Sequence, residues 1–282
     1  MAVIGFWGGD PKETGQTLSA TAIATYMCVE HNLRTLLIDA TFHDDTMERC
    51  FWRVGQDANR STVQMLNKGK IDISSGAEGL VSAIASNKAA PEVITNFTRV
   101  VFKNRLDVLC GLKTDIPTEF NKSLMLYKDL LLFSSKYYDL VFIDLEKTLN
   151  KETTRVLLEN CHVIVYNFSP NLRQISTYLT DMKKNPELLK KEKVIPLLSK
   201  ADDKSKYNAK NVTKFIKNKK EINSVPYSPI FMEAASEAGV ANFYLQARLS
   251  AATSARNSLF LNAVDKTCLK INKKLEELKY IV

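Results

Sequence analysis

The chain has 282 residues, 45% of them hydrophobic and 25% charged, a balance that supports a packed core and excludes a disordered chain. A net charge of +8 is compatible with nucleic acid, anionic lipid or acidic proteins as partners, yet the late lysines of Lys183–Lys193, Lys200–Lys220 and Lys266–Lys279 are interleaved with Asn, Asp and Glu and read as a solvated surface. No apolar run approaches the roughly 20 residues of a membrane span, no secretory leader is visible, and the five scattered cysteines contain no C-x-x-C pair, which argues against a disulfide framework or a zinc site. The expected setting is the cytoplasm.

Taken in order, the apolar run Ala2–Trp7 reads as a strand, Gly8 to Thr17 as a tight loop, and Leu18 to His31 as a helix. Leu33–Asp39 is a second short apolar run, ending in a carboxylate, and reads as a buried strand. Ala40 to Asn59 is irregular; helices are expected over Thr62–Lys68 and Gly76–Asn87, with a short one over Pro91–Phe97. Leu106–Gly111 reads as a strand and Asn121–Lys136 as one helix. The clearest strand is Tyr138–Asp144, followed by a helix over Lys151–Asn160, a strand over Cys161–Asn167 and a helix over Asn171–Lys184. Lys193–Lys200 is a further strand, Lys206–Lys217 a helix, Ile222–Val225 a last short strand, and Ile230–Gly239 and Arg256–Lys279 close the chain as helices.

Strands alternating with helices of this length imply right-handed crossovers. The fold class expected is α/β, a doubly wound, mostly parallel sheet flanked by helices, and the unbroken apolar strands fit a sheet covered on both faces. With no linker, repeat or low-complexity tract, residues 1–282 read as a single domain. In such a sheet ligands bind beyond the carboxyl ends of the strands. The residues there are Lys12, Gly15, Gln16 and Thr17 of the opening loop, Asp39, Asp144, Lys200 with Asp202, and Pro226.

Strand, tight loop and helix is the setting in which backbone N–H groups and a helix N-terminus hold a phosphate. The loop Gly8-Gly9-Asp10-Pro11-Lys12-Glu13-Thr14-Gly15-Gln16-Thr17 is a partial match to G-x-x-x-x-G-K-[ST], with Gln16 where the lysine belongs. Four apolar residues and then Asp144 form the second phosphate-site motif, whose carboxylate holds Mg²⁺ directly or through water. Thr17 would give the other Mg²⁺ contact; otherwise it is a first-turn residue of the helix.

The order of these pieces resembles the MinD/ParA family of deviant phosphate-loop ATPases over most of the chain. The residues that carry the resemblance are the opening strand and loop, Thr35–Asp39, Arg105–Gly111, Tyr138–Asp144, and Val225-Pro226-Tyr227-Ser228 with Glu233-Ala234 and Gly239. Within the family the likeness is to the atypical TadZ/CpaE type of pilus and secretion loci. The resemblance implies ATP and Mg²⁺ as cofactors. It implies nucleotide contacts from Gly9, Lys12, Thr14, Gly15, Gln16, Thr17 and Leu18, with Lys200, Pro226 and Tyr227 toward the base. It implies Thr17, Asp39 and Asp144 around the metal, and Lys12 and Asp39 as the catalytic pair.

The departures from the family pattern are equally specific. The family loop is Lys-Gly-Gly-x-Gly-Lys-[Ser/Thr]; its first lysine reaches across an ATP-sandwiched dimer and its second holds the β- and γ-phosphates. Here either Pro11 or Lys12 takes the first position, depending on register, and Gln16 takes the second without a charge. Glu13 brings a carboxylate to the loop. The family's Asp-x-Asp after strand two is Asp39-Ala40-Thr41. The expectation is a nucleotide-binding positioning or assembly factor, at best a slow ATPase. It would form a homodimer stabilised by ATP and act on a pilus or secretion machine or its motor ATPase. The alternatives are a pseudo-ATPase interaction scaffold and a DNA-binding partition ATPase, with DNA not favoured.

Overall fold

The computed structural model describes residues 2–8, 14–42, 44–53, 76–85, 90–147, 151–249 and 255–279. Eight strands form one sheet in the order β3-β4-β2-β5-β1-β6-β7-β8. They are β1 (Ala2–Trp7), β2 (Thr35–Ala40), β3 (Arg99–Phe102), β4 (Leu106–Leu109), β5 (Leu140–Leu145), β6 (Val163–Phe168), β7 (Val194–Ala201) and β8 (Asn223–Pro226). All neighbours pair in parallel except β3 and β4. This is the expected doubly wound sheet. Strands β1, β2, β5 and β6 are buried at every residue, as a sheet covered on both faces requires.

The central strand β1 pairs with β5 on one side and β6 on the other. After β1 the chain moves outward to β2, and after β5 it crosses β1 to build β6, β7 and β8. The strand order therefore reverses around β1, so a crevice forms beyond its carboxyl end. Helix α1 (Gln16–His31) starts there. Alternate strand residues face opposite sides. Ile4, Phe6, Leu37 and Phe142 meet Ala20, Ile23, Ala24 and Met27 of α1 in one apolar layer. Ile38, Ile143 and Ile164 meet the helices of the other face. By the same alternation Asp39 and Asp144 share the face of Leu37 and Phe142, the face on which α1 packs.

The Ala255–Lys279 helix covers the α1 side, burying Phe260, Val264, Cys268, Ile271 and Leu275. Leu269 is 54% exposed, because it falls on the outward side of the helix, opposite that buried stripe.

Several boundaries differ from the sequence reading. Strand β3 was not expected; it joins β4 as an antiparallel hairpin through Asn104 at φ 59, a conformation Asn tolerates better than most residues. Arg99 and Val100 are exposed and Val101 and Phe102 half-buried, so the apolar run of β3 is short. The region 121–136 is two helices, Pro117–Met125 and Tyr127–Ser134, separated at Leu126. The helix after β7 is only Ala209–Phe215, and a separate helix, Val240–Leu249, follows Pro229–Ser236. The expected Thr62–Lys68 helix lies outside the described residues.

The start of β6 is pinned to β1 by one residue twice over. The His162 N–H donates to the Val3 carbonyl at 2.8 Å, and Nδ1 of the same ring accepts the Val3 N–H at 3.0 Å. Only the neutral ring can accept at Nδ1. Partial desolvation, with the Lys193 ammonium nearby, lowers the His162 pKa below its usual 6.5. The folded state therefore binds fewer protons than the unfolded chain near pH 6, so this contribution is complete above pH 6.5 and is lost as pH falls through the folded pKa. Asn at this position offers an acceptor that does not titrate. We expect the melting temperature of wild type relative to His162→Asn to be higher at pH 7.5 than at pH 5.5; a difference independent of pH would contradict this role.

Candidate functional site

Helix α1 begins at a glycine because its N-cap needs one. Gly15 sits in the left-handed region at φ 68, and a Cβ there would crowd Cε of Lys200 at 3.3 Å. Gly8, at the end of β1, has even less room: a Cβ would lie 2.3 Å from the Asn167 carbonyl oxygen. The first turn of α1 is tied to the sheet through Ser19, whose hydroxyl meets that of Ser199 at 3.1 Å. Ser199 in turn donates to Oδ1 of Asn167 at 3.1 Å.

Register on the sheet determines what faces that helix start. Phe6 pairs with Asp144, and Asp39 pairs with Asp144, so the two carboxylates stand at one level on adjacent strands. Asp144 has no exposed surface. The Gln16 amide donates to Asp144 Oδ1 at 2.6 Å and to the Leu145 carbonyl at 2.9 Å. Two acceptors on Nε2 settle which end of the amide is which. Gln16 therefore turns under the helix onto the end of β5. Burial raises the Asp144 pKa to about 6, against the lowering effect of the Thr17 hydroxyl, the Gln16 amide and the Lys147 ammonium.

Among the described residues, two buried acceptor atoms in this cluster have no hydrogen-bond partner: Oδ2 of Asp144 and Oε1 of Gln16. Buried acceptors are normally satisfied. A hard cation, or the water it carries, is the kind of group that would satisfy both, and Mg²⁺ is commonly held by one or two carboxylates and several waters. Thr17, Gln16 and Asp144 thus fit a small divalent cation.

Beside them lies a cavity of about 420 Å³ lined by Thr14, Gly15, Gln16, Thr17, Leu18, Thr41, Phe42, Asp44, Thr46, Leu145, Glu146, Lys147, Lys200 and Met232. Its size suits a small ligand. A neighbouring cleft of about 30 Å³ runs past Leu18, Ser199, Lys200, Pro226, Tyr227 and Phe260, room for water. Tyr227 is 56% exposed at its rim.

Of the residues the sequence nominated, the structure brings together Thr14, Gly15, Gln16, Thr17, Leu18 and Lys200 around the cavity, with Asp144 beneath and Pro226 and Tyr227 at the adjoining cleft. Gly9 and Lys12, with Pro11 and Glu13, lie outside the described residues. Asp39 is placed differently from the rest. Its Oδ1 is taken by the Thr41 hydroxyl at 2.6 Å and the Thr41 N–H at 2.9 Å, and it opens on a second, acidic cavity of about 350 Å³ that includes Asp44, Asp45, Glu48 and Asp115. Burial raises its pKa to about 8; Thr41 opposes the shift and the nearby Asp144 adds to it. Asp45, one of two carboxylates near the missing second aspartate, is paired with Arg49 at 2.6 Å, while Asp44 lines both cavities.

Sequence reasoning missed Lys147. It lies three residues past Asp144, reaches the cavity, and its ammonium donates to the buried Thr14 hydroxyl. The signal was a cation just beyond the aspartate-ended strand.

No protein-family model and no curated protein matches the chain. Solved structures do. A ParA family ATPase from Chlorobium tepidum TLS is 17% identical, with 95% of this chain and 98% of that one covered at a TM-score of 0.69. The septum site-determining protein MinD of Pyrococcus horikoshii OT3, complexed with Mg-ADP, is 15% identical, with 97% and 98% covered at a TM-score of 0.64. MinD in the MinC:MinD cell division complex of Aquifex aeolicus is 12% identical, with 95% of each chain covered at a TM-score of 0.60. The fold is that of the ParA/MinD phosphate-loop ATPases.

The Gln16 amide gives a direct test of this geometry. Gln16→Leu removes both hydrogen bonds to the end of β5 and leaves Asp144 buried without them. The expected loss is about 1–3 kcal/mol in denaturant unfolding. The variant also loses a group that lowers the Asp144 pKa, so the loss should be larger at pH 8, where the carboxylate is charged, than at pH 5, where it is protonated. Equal losses at the two pH values would contradict the contact.

Proposed function

We propose that this chain is a ParA/MinD-like nucleotide-binding protein with a degenerate phosphate loop, working as an ATP-dependent positioning or assembly factor with weak or absent hydrolysis. The observation that carries the reading is the convergence of Gln16, Thr17 and Asp144 at the start of α1, with two orphaned acceptors beside a ligand-sized cavity. ATP would lie in that cavity with its phosphates toward Thr14–Leu18 and its base along Lys200, Pro226 and Tyr227. Gly9 and Lys12 would complete the loop. Thr17 and Asp144 would hold Mg²⁺, which screens phosphate charge when bound, and Asp39 would stand behind them. That MinD of Pyrococcus horikoshii is complexed with Mg-ADP supports the choice of ligand.

Hydrolysis requires charge stabilisation and a positioned water. Gln16 contributes no charge. Asp39 has one oxygen committed to Thr41, and Thr41 occupies the place of a second carboxylate. Nucleotide would then act by linkage, favouring one association state that a partner reads. A homodimer stabilised by ATP is the proposed state, with Lys12 reaching the partner protomer's phosphates. The MinC:MinD complex supports a partner-reading role. A pilus or secretion machine, or its motor ATPase, is the proposed client, as in TadZ/CpaE-type proteins, and residues 1–282 are proposed to act as one cytoplasmic domain. No helix among the described residues is long and apolar enough to cross a membrane.

A second reading is favoured by one specific contact. Because the Gln16 amide is already engaged by Asp144 and Leu145, the fold would also serve as a scaffold that takes no nucleotide. DNA is not favoured, since two of the late lysines cap backbone carbonyls: Lys193 donates to Leu158 at 2.6 Å and Lys274 to Glu192 at 2.5 Å.

Calorimetric titration with ATP and Mg²⁺ separates the readings. We expect wild type to bind and Asp144→Ala to lose the Mg²⁺-dependent part of the affinity. Turnover should stay below roughly 10⁻³ s⁻¹, the range of phosphate-loop sites lacking a charge-stabilising cation. No binding at millimolar ATP would support the scaffold instead, and brisk turnover would contradict impaired hydrolysis.

A further inference from the structure

A phosphate site without its loop lysine still has to offset the charge of its ligand. Among the described residues, the cavity at the start of α1 has Lys147 and Lys200 on its walls, one from the end of β5 and one from β7. Lys200 lays its stem over Gly15, where a Cβ would meet its Cγ at 3.4 Å and its Cε at 3.3 Å. Lys147 enters from the opposite wall, at the end of β5. It is half-buried, and its ammonium donates to the hydroxyl of Thr14, a residue only 2% exposed. That contact places a positive charge directly against the segment Thr14–Thr17, on the same strand end that supplies Asp144.

The carboxylates facing this ammonium are Asp144, Glu146 and Asp44. Asp144 holds the Gln16 amide. Glu146 is directed onto backbone donors, its Oε2 accepting from the Phe42 N–H at 2.9 Å and its Oε1 from the Lys147 N–H at 2.7 Å. Asp44 accepts the Thr46 N–H at 2.8 Å on its Oδ1. Among the described residues, the cation in contact with the loop hydroxyl is Lys147.

We propose that Lys147 supplies the phosphate-facing positive charge that Gln16 does not, so that the cavity selects nucleoside di- and triphosphates over monophosphates. This rests on the nucleotide reading above. In it the two residues have exchanged tasks: Gln16 satisfies the buried strand end, and the lysine that contacts phosphate arrives from the far side of Asp144. On ligand entry the ammonium trades the Thr14 hydroxyl for a phosphate oxygen, a charge-assisted hydrogen bond and so a stronger one.

The test compares ATP with AMP, both with Mg²⁺, on wild type, Lys147→Gln and Lys147→Arg. Gln keeps a donor for Thr14 and removes the charge; Arg keeps the charge. Wild type should prefer ATP over AMP, and Lys147→Gln should lower that preference by about 10–100-fold with AMP affinity little changed. Lys147→Arg should retain most of the preference. Adding Gln16→Lys to Lys147→Gln should recover part of it.

A second measurement uses wild type alone. ATP should protect the Lys147 amine from acylation, read by mass spectrometry, and AMP should not. An unchanged ATP preference in Lys147→Gln, or equal labelling with ATP and AMP, would overturn the inference while leaving nucleotide binding intact. Wild type that binds neither nucleotide would overturn both.

Discussion

Asp144 is the constraint on which the rest of the site depends. A carboxylate with no exposed surface at the end of a central strand has lost its water, and such a group must be hydrogen-bonded, neutralised or paired with a cation. The Gln16 amide, the Thr17 hydroxyl and the Lys147 ammonium all act on it in the direction of keeping it charged. Two of these come from the first turn of α1 and one from just beyond β5. The parallel pairing of β1 with β5, with Phe6 opposite Asp144, is what brings those segments within reach of one another. The start of α1, the end of β5 and the cavity between them are thus one electrostatic unit.

The two described ends of the Gly8–Thr17 segment are fixed by the sheet, with a glutamine at 16. Glycine is still required at 15 by the left-handed N-cap and at 8 by the Asn167 carbonyl. The helix start is still bound to β6 and β7 through Ser19, Ser199 and Asn167. What has changed is the charge pattern. Within the described residues the cavity carries its cations on its walls, Lys147 and Lys200, while the residue at the first turn is neutral and directed downward. On the proposed reading such a site would bind a polyphosphate while giving little to a transition state, because binding needs charge nearby and catalysis needs it aligned with the bonds that change.

Much of the fold was legible in the sequence because buried parallel strands are unbroken apolar runs. Ala2–Trp7, Leu36–Asp39 and Leu140–Asp144 could hardly be read otherwise, and the aspartates that end two of them lie at the sheet edge where the cavities open. Strand β3 was not legible because its apolar run, Val100–Phe102, is short and exposed or half-buried at the sheet edge, unlike the long buried runs of the central strands. The break at Leu126 was hidden because apolar residues continue at helical spacing across it. In the candidate site, residue types at the loop pointed to the edge where the cavity lies, but the direction of a side chain is a tertiary fact. Nothing in Gly15-Gln16-Thr17 says that the amide turns to Asp144, or that Asp39 is held by Thr41 and opens on a different cavity. Lys147 was overlooked because no phosphate motif places a cation three residues after that aspartate.

The central claim is that the cavity at the start of α1 holds a nucleoside triphosphate with Mg²⁺. A crystal structure grown with a non-hydrolysable ATP analogue and Mg²⁺ tests it most directly. The account predicts a triphosphate along Thr14–Leu18, with a metal at Thr17 and Asp144 and the base beside Pro226 and Tyr227. An empty cavity at millimolar analogue, with Gln16 still bonded to Asp144 and the Lys147 ammonium still on Thr14, would contradict it.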